Sequence, residues 1–299
     1  MRTLSGLAPP GMTDRKIEIV HSARRSEFSS GMGSIARTLF RYRSLTATLV
    51  RKELATRFVG SVFGLLWFVI TPAIQIAIYT LVFGTVFQAR MPFRAAAESS
   101  QQEFGVYLFS GLLIFGLLAD VISRSPSLIV TNPNFVKKVI FPIEILPVVA
   151  VLSALVSAGI SFLLLVAALL LIMGSIPPFI LLYPFCVLIM VPMLLGLSWF
   201  MAALGAFVRD IAQVVGLALT VLMFISPIFS PITAFPPWLQ TFILFNPISL
   251  PIEFAHQVLF LNQLPEPVAV AGYLLVSVVV MAVGWRFFQK TRGGFADVL

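Results

Sequence analysis

Six long apolar stretches, separated by short polar segments, dominate the chain. They cover approximately residues 60–88, 105–130, 143–173, 179–207, 211–232 and 268–288. The hydrocarbon core of a bilayer, about 30 Å thick, is crossed by a helix of about 20 apolar residues. Each stretch is long enough for one crossing, so the pattern predicts an all-α polytopic membrane protein with six transmembrane helices.

A seventh apolar segment, residues 238–261, is interrupted by Asn246, Pro247 and Pro251. Proline removes a backbone donor and breaks a continuous helix. A seventh crossing would also place the basic C-terminal residues around Arg286 outside the cell, against the usual charge asymmetry. The sequence therefore predicts an external re-entrant helical hairpin between helices five and six.

Basic residues are concentrated on alternate sides of these stretches. Eleven of the 20 Lys and Arg precede residue 58, whereas residues 232–268 contain none. Further basic residues recur at every second gap, around Lys137, Arg209 and Lys290. This positive-inside distribution predicts a multi-pass protein of the bacterial cytoplasmic (inner) membrane with both termini in the cytoplasm.

The chain before the first stretch divides into two parts. Residues 1–34 carry charges, Ser and Gly, and we expect them to form a disordered cytoplasmic arm. Between residues 35 and 58 apolar positions recur at a spacing of three to four, which predicts an amphipathic helix in the membrane interface. A solvated juxtamembrane helix is the alternative interpretation. The side chains predicted to meet lipid headgroups are Arg41, Arg43, Arg51 and Lys52.

Composition excludes several classes of protein. With 59% hydrophobic and 11% charged residues, the chain has too little polar surface for a soluble globule. The net charge of +8 lies beside membrane spans, so we expect contact with the lipid bilayer and none with nucleic acid. Two histidines and one cysteine cannot form a multi-histidine metal site or a disulfide framework.

The sequence gives no indication of an enzyme active site. It contains no Gly-Lys dipeptide, which excludes a P-loop of the form G-x-x-x-x-G-K-[ST]. Transport driven by ATP would therefore need an ATPase, with its ATP and Mg²⁺, on a separate chain. A membrane-embedded glycosyltransferase or acyltransferase is a less favoured alternative, because no polar catalytic cluster is visible.

Acidic residues are rare within the apolar stretches. Asp120 and Arg124 are four residues apart in the second stretch, which places opposite charges on one face of a helix. A structural ion pair and a pore-lining pair are the two interpretations, and they carry equal weight.

Aromatic residues recur at multiples of four along the first stretch. Aromatic faces can hold sugar rings without fixing them rigidly, although packing and lipid contact are the commoner roles of any single ring. Gly60 and Gly64 are also four apart and predict a small-residue face at the start of this helix. The candidate lining of a translocation path is Phe63, Trp67, Tyr79, Phe83, Phe87 and Tyr107.

Two polar segments resemble a known family. Residues 132–147 read N-P-N-F-V-K-K-V-I-F-P-I-E-I-L-P, similar to the N-x-x-L-V-K-K-V-x-F-P-x-E-I-L-P loop of polysaccharide-export ABC permeases. Residues 208–210 read V-R-D and resemble the family's Y-R-D run, with valine in place of the aromatic residue. The resemblance extends over about residues 40–299.

The resemblance implies a homodimeric ABC-exporter permease whose six-helix transmembrane domain is residues 59–299. It implies two copies of a separate nucleotide-binding ATPase subunit and export of an undecaprenyl-pyrophosphate-linked glycan. An O-antigen is the first expectation, with capsule and teichoic acid as alternatives. The nearest rival is an ABC exporter of a drug or lipid. By resemblance, the residues that couple the permease to the ATPase are Asn132, Asn134, Phe135, Lys137, Lys138, Phe141, Arg209 and Asp210.

Overall fold

The computed structural model describes residues 32–57, 59–89, 91–92, 101–136 and 141–295. Among these residues the regular secondary structure is entirely helical, which confirms the predicted fold class. Most of the predicted N-terminal arm lies outside the described residues, as do Lys137 and Lys138.

The structure divides the predicted amphipathic helix in two at Tyr42. Helix α1, Met32–Arg41, belongs to one unit of the chain, and helix α2, Arg43–Thr56, belongs to a second unit that begins at Tyr42. Tyr42 has φ −103° and ψ 17°, outside the range of a regular α-helix. The predicted helical segment of residues 35–58 thus contains a turn at Tyr42.

The alternation of polar and apolar positions that motivated the prediction is nevertheless present. In α2 the basic side chains Arg43, Arg51 and Lys52 are exposed, while Leu45 and Leu49 are half-buried. Arg41, at the end of α1, is also exposed. The placement of these helices in a membrane interface stays a prediction.

The described residues of the second unit form eleven α-helices. They are α2 (Arg43–Thr56), α3 (Trp67–Tyr79), α4 (Gln101–Arg124), α5 (Pro133–Val136), α6 (Ile145–Ala168), α7 (Tyr183–Leu188), α8 (Val191–Phe207), α9 (Ile211–Ile225), α10 (Pro237–Phe245), α11 (Ser249–His256) and α12 (Pro267–Thr291). Helices α3, α6 and α11 each continue into a short π-helical segment, which ends at Val86, Met173 and Leu261 respectively.

Five helical stretches in the described part of the chain are long and apolar enough to cross a membrane. They correspond to five of the six predicted spans and are Gly64–Val86, Gln102–Ser127, Ile145–Met173, Ile180–Phe207 and Pro267–Gly294. The chain is therefore a multi-pass membrane protein.

The fifth predicted span is shorter than the sequence pattern suggested. Helix α9 has 15 residues, or about 22 Å of helix, and it ends before the predicted boundary at residue 232. Ser226 is extended, with ψ 152°, because the residue before a proline is disfavoured in the α conformation. Pro227 thus ends the helix.

The predicted re-entrant segment is a bent pair of helices. Helix α10 and the stretch Ser249–Leu261 meet at an angle of 101°, with Asn246 between them. Asn246 donates from Nδ2 to Ser226 Oγ at 2.8 Å, and Tyr273 donates from its hydroxyl to the Pro247 carbonyl at 2.8 Å. These bonds fix the bend against the end of α9 and the start of α12.

Helices α8 and α12 form the closest packed pair. A Cβ on Gly196 or Gly284 would overlap the backbone of the other helix, so both positions require glycine. Beside this contact Trp199 and Trp285 pack edge to face, with ring centroids 4.9 Å apart. Small residues therefore allow the backbones to meet, as in other membrane helix pairs.

The first span is the least covered by the rest of the chain. Of the residues in its most apolar part, only 6% are buried, compared with 72% in the second span. Its predicted small-residue helix face is absent, because Gly60 and Gly64 have φ values of 85° and 50°. Glycine tolerates these left-handed conformations, and both residues precede α3, Gly60 in a turn and Gly64 at the start of a 3₁₀ turn.

Candidate functional site

Several basic residues lie at one end of the helical bundle, which we call the basic end and define by Arg124, Arg209 and Arg292. Interhelical contacts bring its segments together. Ser125, just after α4, shares a hydrogen bond of 2.7 Å with Ser198 of α8. Phe207, at the end of α8, lies 5.7 Å from Phe295, ring centroid to ring centroid.

The loop between α4 and α6 presents two stacked aromatic rings at the basic end. Phe135 and Phe141 have ring centroids 4.4 Å apart and nearly parallel planes, and both are half-exposed. Asn132 donates from Nδ2 to the Leu128 carbonyl at 2.9 Å, which holds the start of α5. Asn134 is exposed. The loop therefore offers a small apolar surface beside polar groups.

A buried ion pair anchors the end of this loop to the last helix. Glu144 lies just before α6, and its side chain is only 5% exposed. Its Oε2 lies 3.1 Å from Arg292 Nη1. Trp199 donates from Nε1 to the Glu144 carbonyl at 3.0 Å. The loop, α8 and the end of α12 are thus tied together at one residue.

Arg209 and Asp210 lie in the short connection between α8 and α9. Both side chains are exposed. The structure therefore brings this connection and the loop before α6 to the same end of the bundle, where the sequence placed both of its coupling segments. Their coupling role itself stays a prediction.

The predicted pair of Asp120 and Arg124 is part of a larger network. Arg124 Nη2 lies 3.0 Å from Asp120 Oδ2, and Arg124 also forms an ion pair with Glu53 of α2. Arg57 donates to both oxygens of Asp120, at 2.7 and 3.2 Å, and to Ser157 Oγ at 3.3 Å. Four charges thus join α2 to α4 and α6.

The sequence identified only half of this network. Its signal for Asp120 and Arg124 was their four-residue spacing, which a helix converts into contact. Arg57 and Glu53 are 63 and 71 residues away in sequence from their partners. One indication of these contacts was visible in the sequence, a basic residue, Arg57, directly before the first span. The positive-inside distribution explained that residue without any ion pair.

The predicted path aromatics separate into two groups on the first span. Phe63 and Trp67 pack edge to face at 5.7 Å between centroids, and Trp67 donates from Nε1 to Ser61 at 2.7 Å. Tyr79, Phe83 and Phe87 form a second series, with centroid distances of 6.5 and 5.6 Å.

The second aromatic group continues into the interior of the chain. Phe83 lies 6.2 Å from Phe104, and Phe104 stacks on Tyr107 at 5.7 Å. Tyr107 is fully buried and stacks on His256 at 4.0 Å. Phe63 and Phe87 are exposed, whereas Trp67, Tyr79 and Phe83 are half-buried. Tyr107 is therefore enclosed within this chain, and the lining role of the other five residues stays a prediction.

A cavity of about 390 Å³ lies between α3, α4 and α6. Its lining combines the Arg57 and Asp120 pair with Trp67, Gln75 and Ser161. Along α3 it extends from Trp67 to Gln75, a distance of about 12 Å. The pair of Arg57 and Asp120, which joins the end of α2 to α4, therefore also lines this recess.

Comparison with known proteins gives a family and several relatives. The model of the ABC-2 type transporter family matches residues 44–260. The O-antigen export system permease protein RfbA of Myxococcus xanthus is 27% identical over 266 residues, covering 88% of this chain and 98% of that protein. RfbA of Klebsiella pneumoniae is 25% identical, covering 85% and 95%. The polysialic acid transport protein KpsM of Escherichia coli is 23% identical, covering 85% and 96%. Because the family match spans most of the chain and the helical bundle agrees with it, this protein belongs to the ABC-2 type transporter family.

Proposed function

We propose that this chain is the permease subunit of an ATP-driven exporter of lipid-linked polysaccharide, with an O-antigen as the substrate class. The observation that carries the proposal is similarity over nearly the whole length of relatives named for O-antigen export. The polysialic acid transport protein extends the same similarity to a second polysaccharide.

The basic end is the proposed docking site for two copies of a separate ATPase subunit, which bind ATP and Mg²⁺. Arg209 and Asp210 are exposed there, and the stacked rings of Phe135 and Phe141 are partly accessible. Exposed charge beside a small aromatic surface suits a protein partner. This end faces the cytoplasm in the proposed arrangement, because basic residues are retained on that side.

The first span is the proposed contact between two copies of the permease. Few of its residues are buried within the chain, and the aromatic residues of α3 lie on it. A path for the glycan between two copies would then be lined by Trp67, Tyr79 and Phe83. The exposed basic residues of α2, among them Arg51 and Lys52, would meet the pyrophosphate of an undecaprenyl-linked substrate.

Reconstitution tests this function. The permease and its ATPase, purified together and placed in liposomes, should transfer lipid-linked O-antigen across the bilayer only when ATP is supplied. The matched control is the same complex with an ATPase that binds but does not hydrolyse ATP. Failure of the permease to assemble with an ATPase, or transfer that does not depend on hydrolysis, would refute the proposal.

A further inference from the structure

The cavity between α3, α4 and α6 is chemically unlike the apolar grooves that packed membrane helices leave. Six of the side chains around it are charged, amide or hydroxyl groups, namely Arg57, Thr71, Gln75, Asp120, Ser157 and Ser161. Three aromatic rings also face it, namely Trp67, Phe68 and Phe109. Polar groups in a membrane domain are costly, so their concentration at one recess calls for a ligand that can bond to them.

Part of this polar lining is already paired and part is not. Arg57 and Asp120 bind each other, yet their side chains remain 31% and 21% exposed, so both keep positions open to a ligand. Gln75 and Thr71 make no side-chain hydrogen bond within the residues that the structure describes, and both are exposed. The wall of α3 therefore presents an amide and a hydroxyl that face a carboxylate and a guanidinium.

Charge balance distinguishes between candidate ligands. The network that forms the end of the cavity contains two cations, Arg57 and Arg124, and two anions, Asp120 and Glu53. It is formally neutral, so it offers no net attraction to a phosphate group. An acyl chain would leave the amide and hydroxyl of α3 without partners, at a cost for each polar group kept from water.

A sugar ring satisfies both parts of the lining. Its hydroxyl groups can donate hydrogen bonds to the carboxylate and accept them from the guanidinium, and they can do both with the amide. Its face of C–H groups packs on an aromatic ring such as Trp67. The volume of about 390 Å³ lies within the range of small-molecule sites.

We propose that this cavity binds one neutral pyranose ring of the exported glycan within a single permease chain. The inference rests on the proposed function, because it takes the ligand from the same polysaccharide. It adds a site lined by three helices of one chain, and this site shares Trp67 with the proposed path between two copies. Asp120 and Gln75 act as hydrogen-bonding groups, and Trp67 supplies the apolar face.

Two glycines allow a matched pair of variants, one that fills the cavity and one that leaves it open as a control. A Cβ added at Gly116 or at Gly159 would meet no atom within 4 Å, and both residues lie within helices. Gly116 lines the cavity, whereas Gly159 does not. Gly116→Leu therefore fills the recess, and Gly159→Leu makes the same substitution on the exposed side of α6. Leucine favours helix over glycine at both sites.

Photo-crosslinking in cells identifies the occupant. The photoreactive residue benzoylphenylalanine is introduced at Thr71, on the rim of the cavity, in the full permease with its ATPase. Mass spectrometry of the adducts should find hexose-containing glycan, and a strain that makes no polymer should give none. Gly116→Leu should lower the glycan adduct about tenfold, which corresponds to about 1.4 kcal/mol, and Gly159→Leu should leave it unchanged.

Three outcomes would overturn the inference: adducts with phospholipid only, no adduct, or equal yields from the two leucine variants. The proposed function is tested separately, by measuring the amount of polymer on the cell surface after the gene is disrupted. If polymer still reaches the surface, the proposed function fails. If export depends on the gene but Thr71 captures only phospholipid, the cavity inference alone fails.

Discussion

Replacing Arg292 with methionine tests the buried ion pair at the basic end. The Glu144 carboxylate is 5% exposed and loses its cation, while the methionine preserves much of the packing volume. Breaking a buried pair by removing one partner costs about 3–5 kcal/mol. Because the Arg292 side chain is 24% exposed, water reaches the site, and we expect a loss of about 2–3 kcal/mol.

The assay is a double-mutant cycle of Glu144→Gln, Arg292→Met and the two together. The free energy of unfolding in detergent micelles can be followed by tryptophan fluorescence, since Trp199 and Trp285 pack beside this site. The double variant should be more stable than the sum of the single losses predicts, with a coupling energy of about 1–3 kcal/mol. Arg286→Met, at an exposed position of α12, should change stability by less than about 0.5 kcal/mol.

Additivity of the two substitutions within about 0.5 kcal/mol would refute the reasoning. Such a result would mean that the two side chains contribute independently, despite the 3.1 Å between Oε2 and Nη1. A loss from Arg292→Met no larger than that from Arg286→Met would lead to the same conclusion.

Three further predictions concern topology, coupling and the path. A cysteine at Gly293 should not react with an impermeant external thiol reagent in sealed cells, and a reaction there would contradict cytoplasmic placement of the C-terminal end. Phe141→Asp should uncouple ATP hydrolysis from export, because a carboxylate buried at an apolar docking surface costs several kcal/mol. Asn134→Asp, at an exposed position, is its control, and normal coupling in Phe141→Asp would exclude docking there. Ala at Trp67 or Tyr79 should weaken polymer export by removing about 1 kcal/mol of stacking per contact, with assembly unchanged. Unaltered export in both variants would exclude the aromatic path.

Features that depend on local sequence were predictable. The spacing of Asp120 and Arg124 gave their contact, and Asn246 with Pro247 gave the bend between α10 and α11. In both cases a few neighbouring residues determine the geometry, through helix periodicity or the missing donor of proline. The apolar stretches similarly gave five spans close to their observed bounds.

Features that depend on distant contacts were not predictable. Arg57 meets Asp120, and Arg292 meets Glu144, only after the helices have packed. The same four-residue spacing that correctly paired Asp120 with Arg124 misled at Gly60 and Gly64, because spacing implies a helix face only where the backbone is helical. The early end of α9 was visible in Pro227, but the apolar run beyond it obscured that signal.

The glycine contact between α8 and α12 also fixes how these helices can slide. A shift of one turn, about 5.4 Å, would bring Pro192 or Phe200 to the place of Gly196, where the Gly284 backbone leaves no room for a side chain. The two helices therefore pack in a single register and move together as a rigid unit. Any change of shape during transport has to be taken up by other helices, and the first span is the least buried of the five membrane-crossing stretches described.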